Sequence, residues 1–207
     1  LIGGDTTQGP LNIAITVIGD TPQGQSILRS GAQVGDDLYV SGHLGDARLA
    51  LEAFRGNVSL PQPVFDLTRR RMESPTPRLA LGQALRGIAH AMADISDGLL
   101  GDLGHILKAS HVGAEIDTPA VCGLMLSGQL WTCPPDLALT CVLSGGDDYE
   151  LVFSASPLVA KKVQEAAIAS STPITRIGRI TETHRLLLLS ADGQPLTTSF
   201  QSFDHFA

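Results

Sequence analysis

The sequence predicts an α+β domain. Three observations carry that reading. Segments with apolar spacing of two and of 3.6 residues interleave along the chain, and they lack the even strand–helix alternation of a doubly wound sheet. Third, 43% of the 207 residues are hydrophobic, enough for a proper core. The length suits one large domain, or one domain with part of another.

Residues 11–18, LNIAITVI, put Leu11, Ile13, Ile15 and Val17 on one face at period two, as in a half-buried strand. GDTPQGQ at 19–25 is turn chemistry and a plausible linker. DLYVSG at 37–42 reads as a strand, followed by a Gly42–Gly45 turn and a helix of about ten residues in GDARLALEAF. The proline-rich stretch 56–66 reads as loop. Prolines at 75 and 77 suit the entrance of a helix whose apolar residues run from Leu79 through Leu85 and Ile88 to Met92. A second helix is expected over 97–109, with Leu99, Leu103, Ile106 and Leu107 as its stripe. GAEID and YELVFSA are strands, 119–140 is ambiguous, and PLVAKKVQEAAIAS is an amphipathic helix. ITRIGRIT and RLLLLS are expected to close the fold as strands around a hairpin, with Asp192-Gly193 as a later turn.

The net charge of −7 and the lack of a long basic run argue against nucleic acid or an anionic membrane as the main partner. Arg69-Arg70-Arg71 reads as a solvated face. No apolar run reaches the roughly 18 to 20 residues of a membrane helix, and no signal-peptide pattern is present. The three cysteines show no CxxC spacing, so they read as thiols of a cytoplasmic protein rather than a disulfide or zinc framework. The six histidines show no ligand spacing, and His105 and His111 read as surface residues. The chain starts at Leu1 without Met, as a segment inside a larger protein would.

What chemistry fits? P-loop, GxSxG and HExxH signatures are missing. Acids instead gather at Gly/Asp turns: Asp94 and Asp97 around Ser96 in DISDGL, Asp147 in SGGDDYEL, and Asp5 after Gly4 in LIGGDTT. Asp and Ser are also the preferred helix caps, so each motif alone fits a turn or a cap. Three such turns without a basic counterweight point instead to a divalent metal bridging protein and phosphate, since Mg²⁺ takes one or two carboxylates plus phosphate oxygens and water. Arg29, before a Gly turn, has the donor geometry for bidentate phosphate binding. Phe203, in SFDHFA, reads by default as a core or tail-docking residue.

Six stretches together resemble the thiamine-monophosphate kinase family, within the ATP-binding group that includes aminoimidazole ribonucleotide synthetase and selenophosphate synthetase. They are LIGGDTTQGPLNIAITVIG, RSGAQVGDDLYVSGHLGDA, PTPR, DISDGLLGDLGHILKAS, SGGDDYELVF and the terminal FDHFA, in the family's order. The resemblance implies that residues 1–25 end an N-terminal ATP-binding domain, contributing its last strand. Residues 26–207 would then form the C-terminal α/β-sandwich domain of the aminoimidazole ribonucleotide synthetase-like fold. It implies phosphoryl transfer from ATP to thiamine monophosphate, with several Mg²⁺ ions, and a homodimer of the whole protein. By motif, Gly4, Asp5, Arg29 and Ser96 would contact ATP. Asp5, Asp94 and Asp97 would ligate Mg²⁺, and Asp147 and Phe203 would contact the thiamine substrate. Further ligands are expected before Leu1. Two departures stand out: Asp147 replaces the family's common Glu, and Phe203 lacks the hydroxyl of its common Tyr. The alternatives are an enzyme of the same group with another acceptor, or a non-catalytic module in which the acids only cap helices.

Overall fold

A computed structural model describes residues 3–6 and 8–196. Its centre is a six-stranded sheet of β1 (Asp37–Ser41), β2 (Ala91–Ile95), β3 (Gly113–Asp117), β4 (Glu150–Ala155), β5 (Ile174–Thr181) and β6 (Leu186–Leu189). The strand order is β2-β4-β1-β5-β3-β6, with every neighbouring pair antiparallel except the parallel pair β3–β6. The helices are α1 (Asp46–Phe54), α2 (Gln62–Glu73), α3 (Leu79–Ala84), α4 (Leu99–Ser110), α5 (Thr118–Cys122), α6 (Pro135–Ser144) and α7 (Ala160–Ala169).

Alternation along the strands builds a core on each face of the sheet. Leu38, Val40, Ala93, Ile95 and Val152 face one way, joining Leu49 of α1, Leu103 and Ile106 of α4, and Val142 of α6. Tyr39 and Phe153 face the other way, their rings stacked 5.2 Å apart, against Leu81, Leu85 and Val163 near α3 and α7. This is the expected α+β sandwich, with the larger helical layer on the first face.

Four sequence expectations are corrected. Residues 11–18 form no strand, and Leu11, Ile13, Ile15 and Val17 are exposed. A strand needs a ladder partner, and no described strand pairs with this segment. The expected loop 56–66 instead contains the start of α2, entered through Pro61 and Pro63 and packed on α1 through an edge contact of Phe54 with Phe65. The helix expected to run to Met92 stops at Ala84. Gly87 takes a left-handed φ of 71°, and Met92 lies in β2. Ile88 and Met92 still pack with Leu81 and Leu85, which is why their spacing looked helical. Finally, β5 and β6 form no hairpin, because β3 lies between them. The ambiguous stretch 119–140 holds α5, a short 3₁₀ turn at Leu126–Gln129 and the start of α6. Gly193 does form the later turn, at φ 75°. No helix among the described residues is long and apolar enough to cross a membrane.

Candidate active site

The end of β2 and the start of β4 meet at one end of the sheet. Asp94 pairs with Leu151 and Ile95 with Glu150. The ladder then continues as turn-to-turn contact: Asp147 N–H donates to the Ser96 carbonyl and Tyr149 N–H to the Ile95 carbonyl, both at 2.9 Å. Gly146 lies so close that a Cβ there would sit 2.5 Å from the Ser96 carbonyl oxygen. DISDGL and SGGDDYEL, 50 residues apart in sequence, are therefore two halves of one structure. Asp147 and Tyr149 take φ of 67° and 50°, a conformation that costs non-glycine residues roughly 1–2 kcal/mol each. Non-glycine strain of this kind collects at functional sites.

Asp102, in the first turn of α4, is buried, and its Oδ2 accepts from the N–H groups of Ser96 (3.0 Å) and Asp97 (3.1 Å). Burial raises its pKa despite those two bonds. Asp102 thus performs the local satisfaction that capping would assign to its neighbours, while the N-cap of α4 is Gly98, with no side-chain cap. Asp94 is exposed, and its side chain has no hydrogen-bond or ion-pair partner among the described residues.

The predicted residues divide between two depressions. Ser96, Asp97 and Asp147 line a crevice of about 220 Å³ together with Arg48 of α1 and Arg55, which follows that helix. Asp94 lines a more open cavity of about 620 Å³ with Arg78, Arg86, Gln83 and Tyr149. Gly4 and Asp5 are exposed, and among the described residues Asp5 Oδ1 accepts only from the neighbouring Thr6 N–H, at 2.8 Å. The Arg29 side chain is also exposed. Its carbonyl accepts from Ser110 Oγ, and Leu28 holds the outer edge of β2 by accepting from Met92 N–H. Neither Asp5 nor Arg29 is brought to the acidic turns by a described contact. Phe203 lies outside the described residues.

Among the described residues, no group of three or more His, Cys, Asp or Glu side chains is poised to hold a metal ion by itself. The donor set nevertheless fits Mg²⁺, which uses one or two carboxylates and takes its remaining oxygens from phosphate and water. Asp94, exposed and unpartnered at a strand end, is such a carboxylate.

Several site residues were not picked out from the sequence. Glu52 of α1 binds Arg48 (2.7 Å), Arg55 (3.3 Å) and Asn57 (2.6 Å), fixing two guanidinium groups along the crevice. The Asn57 hydrogen bond, followed by Arg48, holds the Glu52 carboxyl below the usual range despite burial. The i, i+4 spacing of Arg48 and Glu52 was a legible signal. Arg71 corrects the solvated-face reading. Arg69 and Arg70 are exposed, but Arg71 is largely buried and ion-paired with the fully buried Glu150 at 2.9 Å. Asp148 is buried as well, with its Oδ2 accepting from Gly45 N–H at 2.9 Å.

The turn-to-turn contact makes its own prediction. Gly146→Ala should lower the melting temperature by several degrees, since a methyl pressed on backbone costs roughly 1–3 kcal/mol. It should also part Asp147 from Ser96. An unchanged melting curve would show that the turns are not in contact.

A mixed six-stranded sheet with two interlocked Gly/Asp turns at one end defines an α+β domain. The chain belongs to the family described as AIR synthase related protein, C-terminal domain, whose model matches residues 33–188. It is 40% identical over 209 residues to thiamine-monophosphate kinase of Escherichia coli K12, and 43% over 210 to that of Salmonella typhimurium LT2. Each match covers the whole chain but 63% of the relative, so the chain spans a little under two thirds of these proteins. Among solved structures, thiamine-monophosphate kinase from Stenotrophomonas maltophilia K279a matches with a TM-score of 0.75 at 39% identity, over 85% of this chain and 56% of that one. AaThiL complexed with AMPPCP and TMP matches at 0.65 and 27%, over 87% and 54%.

Proposed function

We propose that this chain is the acceptor-side part of a thiamine-monophosphate kinase, transferring the γ-phosphoryl group of ATP to thiamine monophosphate. The observation that carries the reading is the interlock of the two Gly/Asp turns, which gathers Ser96, Asp97 and Asp147 in one crevice with Asp94 beside it. The whole-chain similarity to thiamine-monophosphate kinases supports it, as does the likeness to a structure complexed with AMPPCP and TMP. In this reading residues 1–25 belong to the N-terminal ATP-binding unit and 26–207 to the C-terminal domain. The exposed apolar residues of 11–18 are then what that unit would cover. The whole protein acts as a cytoplasmic homodimer.

The acceptor is a phosphate monoester, whose second pKa near ~6 leaves it mostly dianionic at neutral pH. It needs no general base, and the chain need supply no nucleophile. The obstacle is one anion approaching another, and phosphoryl transfer is catalysed chiefly by positioning and charge neutralisation. Asp94 and Asp97, with Asp5, would hold Mg²⁺, which supplies positive charge to the phosphate oxygens. Ser96, with Gly4 and Asp5, would contact ATP, and Arg29 would bind its phosphates. Asp147 and Phe203 would orient the thiamine moiety, so that transfer runs in line and directly.

An ADP-release assay across candidate acceptors, run on the intact protein, tests this. Thiamine monophosphate should be the preferred acceptor, and preference for another acceptor would replace the reading. Phe203→Ala should raise KM for thiamine monophosphate by several-fold to a few tens of fold, because a ring face against the thiazolium or pyrimidine is worth roughly 0.5–2 kcal/mol. KM for ATP should hold. Equal losses for both substrates would return Phe203 to a packing role.

A further inference from the structure

One carboxylate ties together more of this site than any acid named so far. Glu150 opens β4, directly after the Asp147–Tyr149 turn, and is fully buried. It accepts from Ser41 Oγ (2.6 Å), Arg71 Nη2 (2.9 Å), and Arg78 Nε (2.6 Å) and Nη2. Arg71 also donates to the His43 carbonyl at 3.1 Å. The carboxylate lies over Gly42, whose φ is 60°; a Cβ there would fall 2.0 Å from Oε1. Four segments thus meet on Glu150: the end of β1, the last turn of α2, the proline loop before α3, and the turn carrying Asp147.

The pairing is not charge-balanced. Two guanidinium groups share this one carboxylate. Arg78 lines the 620 Å³ cavity beside Asp94 and Tyr149, and its bidentate bond to Glu150 fixes the guanidinium plane. The other cavity wall, Tyr149, stands next to Glu150 in the chain and is held by its N–H to Ile95. The separation of those two walls is therefore set through Glu150. So is the exit of a turn whose left-handed residues have no glycine to relax them.

We propose that Glu150 is a positioning residue for the acceptor: clamped by Arg71 and Arg78, it holds the Asp147–Tyr149 turn against the Arg78 wall and so sets acceptor affinity. This rests on the kinase reading above. Gly4, Asp5 and Arg29 make no described contact with Glu150 or its turn, and Ser96 meets the turn through its backbone carbonyl rather than its side chain, so ATP binding should be disturbed less than acceptor binding.

The experiment measures both Michaelis constants and a melting curve for Glu150→Gln and Gly42→Ala in the intact protein. Glu150→Gln removes the charge but keeps the shape. Gly42→Ala displaces the carboxylate while leaving every charge in place. Both variants should raise KM for thiamine monophosphate at least tenfold, with KM for ATP and kcat each within about threefold at a temperature where the protein is folded. A merely structural hub predicts otherwise: activity would follow the folded fraction, and neither Michaelis constant would move. That result in either variant overturns the proposal. If Glu150→Gln does not fold, the Gly42→Ala constants decide alone. A wild-type protein without thiamine-monophosphate kinase activity would instead remove the functional reading itself, a distinct outcome.

Discussion

Replacing Asp94 or Asp97 with Asn should lower activity of the intact protein by about two to three orders of magnitude while scarcely moving its melting temperature. Removing one preorganised electrostatic element from a transition-state site typically costs that much. The exchange keeps side-chain volume and one acceptor oxygen but deletes the charge. Stability should hold, because Asp94 is exposed and has no described partner, and substitutions at such places usually stay within about 0.5 kcal/mol. Asp97 is more enclosed. Its backbone N–H is nevertheless satisfied by Asp102, which the exchange leaves untouched. A capping role predicts the reverse pattern, with little loss of activity, because Asn caps as well as Asp. Activity retained in both variants, at any Mg²⁺ concentration, would defeat the metal assignment. Loss rescued by excess Mg²⁺ would instead strengthen it.

Asp148→Asn should gain stability relative to the wild type as pH rises, until the Asp148 carboxyl is fully ionised. The Asp148 carboxyl is buried, and its Oδ1 has no hydrogen-bond partner among the described residues. Burial pushes its pKa up to about 8; Gly45 N–H and Arg71 oppose the shift, and Asp46 and Glu150 add to it. The folded chain therefore keeps a proton that the unfolded chain releases near its ordinary value of 3.8. Between those two values the folded state binds more protons than the unfolded state. Stability falls as pH climbs through that window and levels off above it. At roughly 1.4 kcal/mol per pKa unit, the wild type should lose several kcal/mol across the range. Asn keeps an acceptor for Gly45 and cannot ionise. Its unpartnered amide costs roughly 1–3 kcal/mol at every pH. The melting temperature of the variant relative to wild type should therefore rise by roughly 8–16 °C between pH 5 and pH 9. A difference independent of pH would show that Asp148 titrates normally.

The substitution also separates Asp148 from its neighbour. Asp147 faces the crevice and would meet substrate, whereas Asp148 turns inward to Gly45 at the entrance of α1. Asp148→Asn should thus alter the pH dependence of stability more than KM for either substrate. SGGDDYEL does not reveal which acid is which, because the left-handed φ at Asp147 breaks the simple alternation of a strand.

Local signals in the sequence sufficed for much of this protein. Period-two runs located β1, β3, β4 and β5, and the 3.6-residue stripe located α4 and α7, because side-chain direction repeats with backbone geometry. Gly/Asp chemistry located the two turns, since few residues tolerate their backbone, and six motifs in order identified the family. Tertiary structure alone decided the rest. Residues 11–18 carry a strand pattern but have no ladder partner among the described residues, and β3 displaces the expected hairpin, because pairing is settled by long-range register rather than by periodicity. Arg71 looked solvated within a run of three arginines. Only the fold sets it against Glu150, 79 residues away, because the worth of a charge depends on what surrounds it once water is excluded.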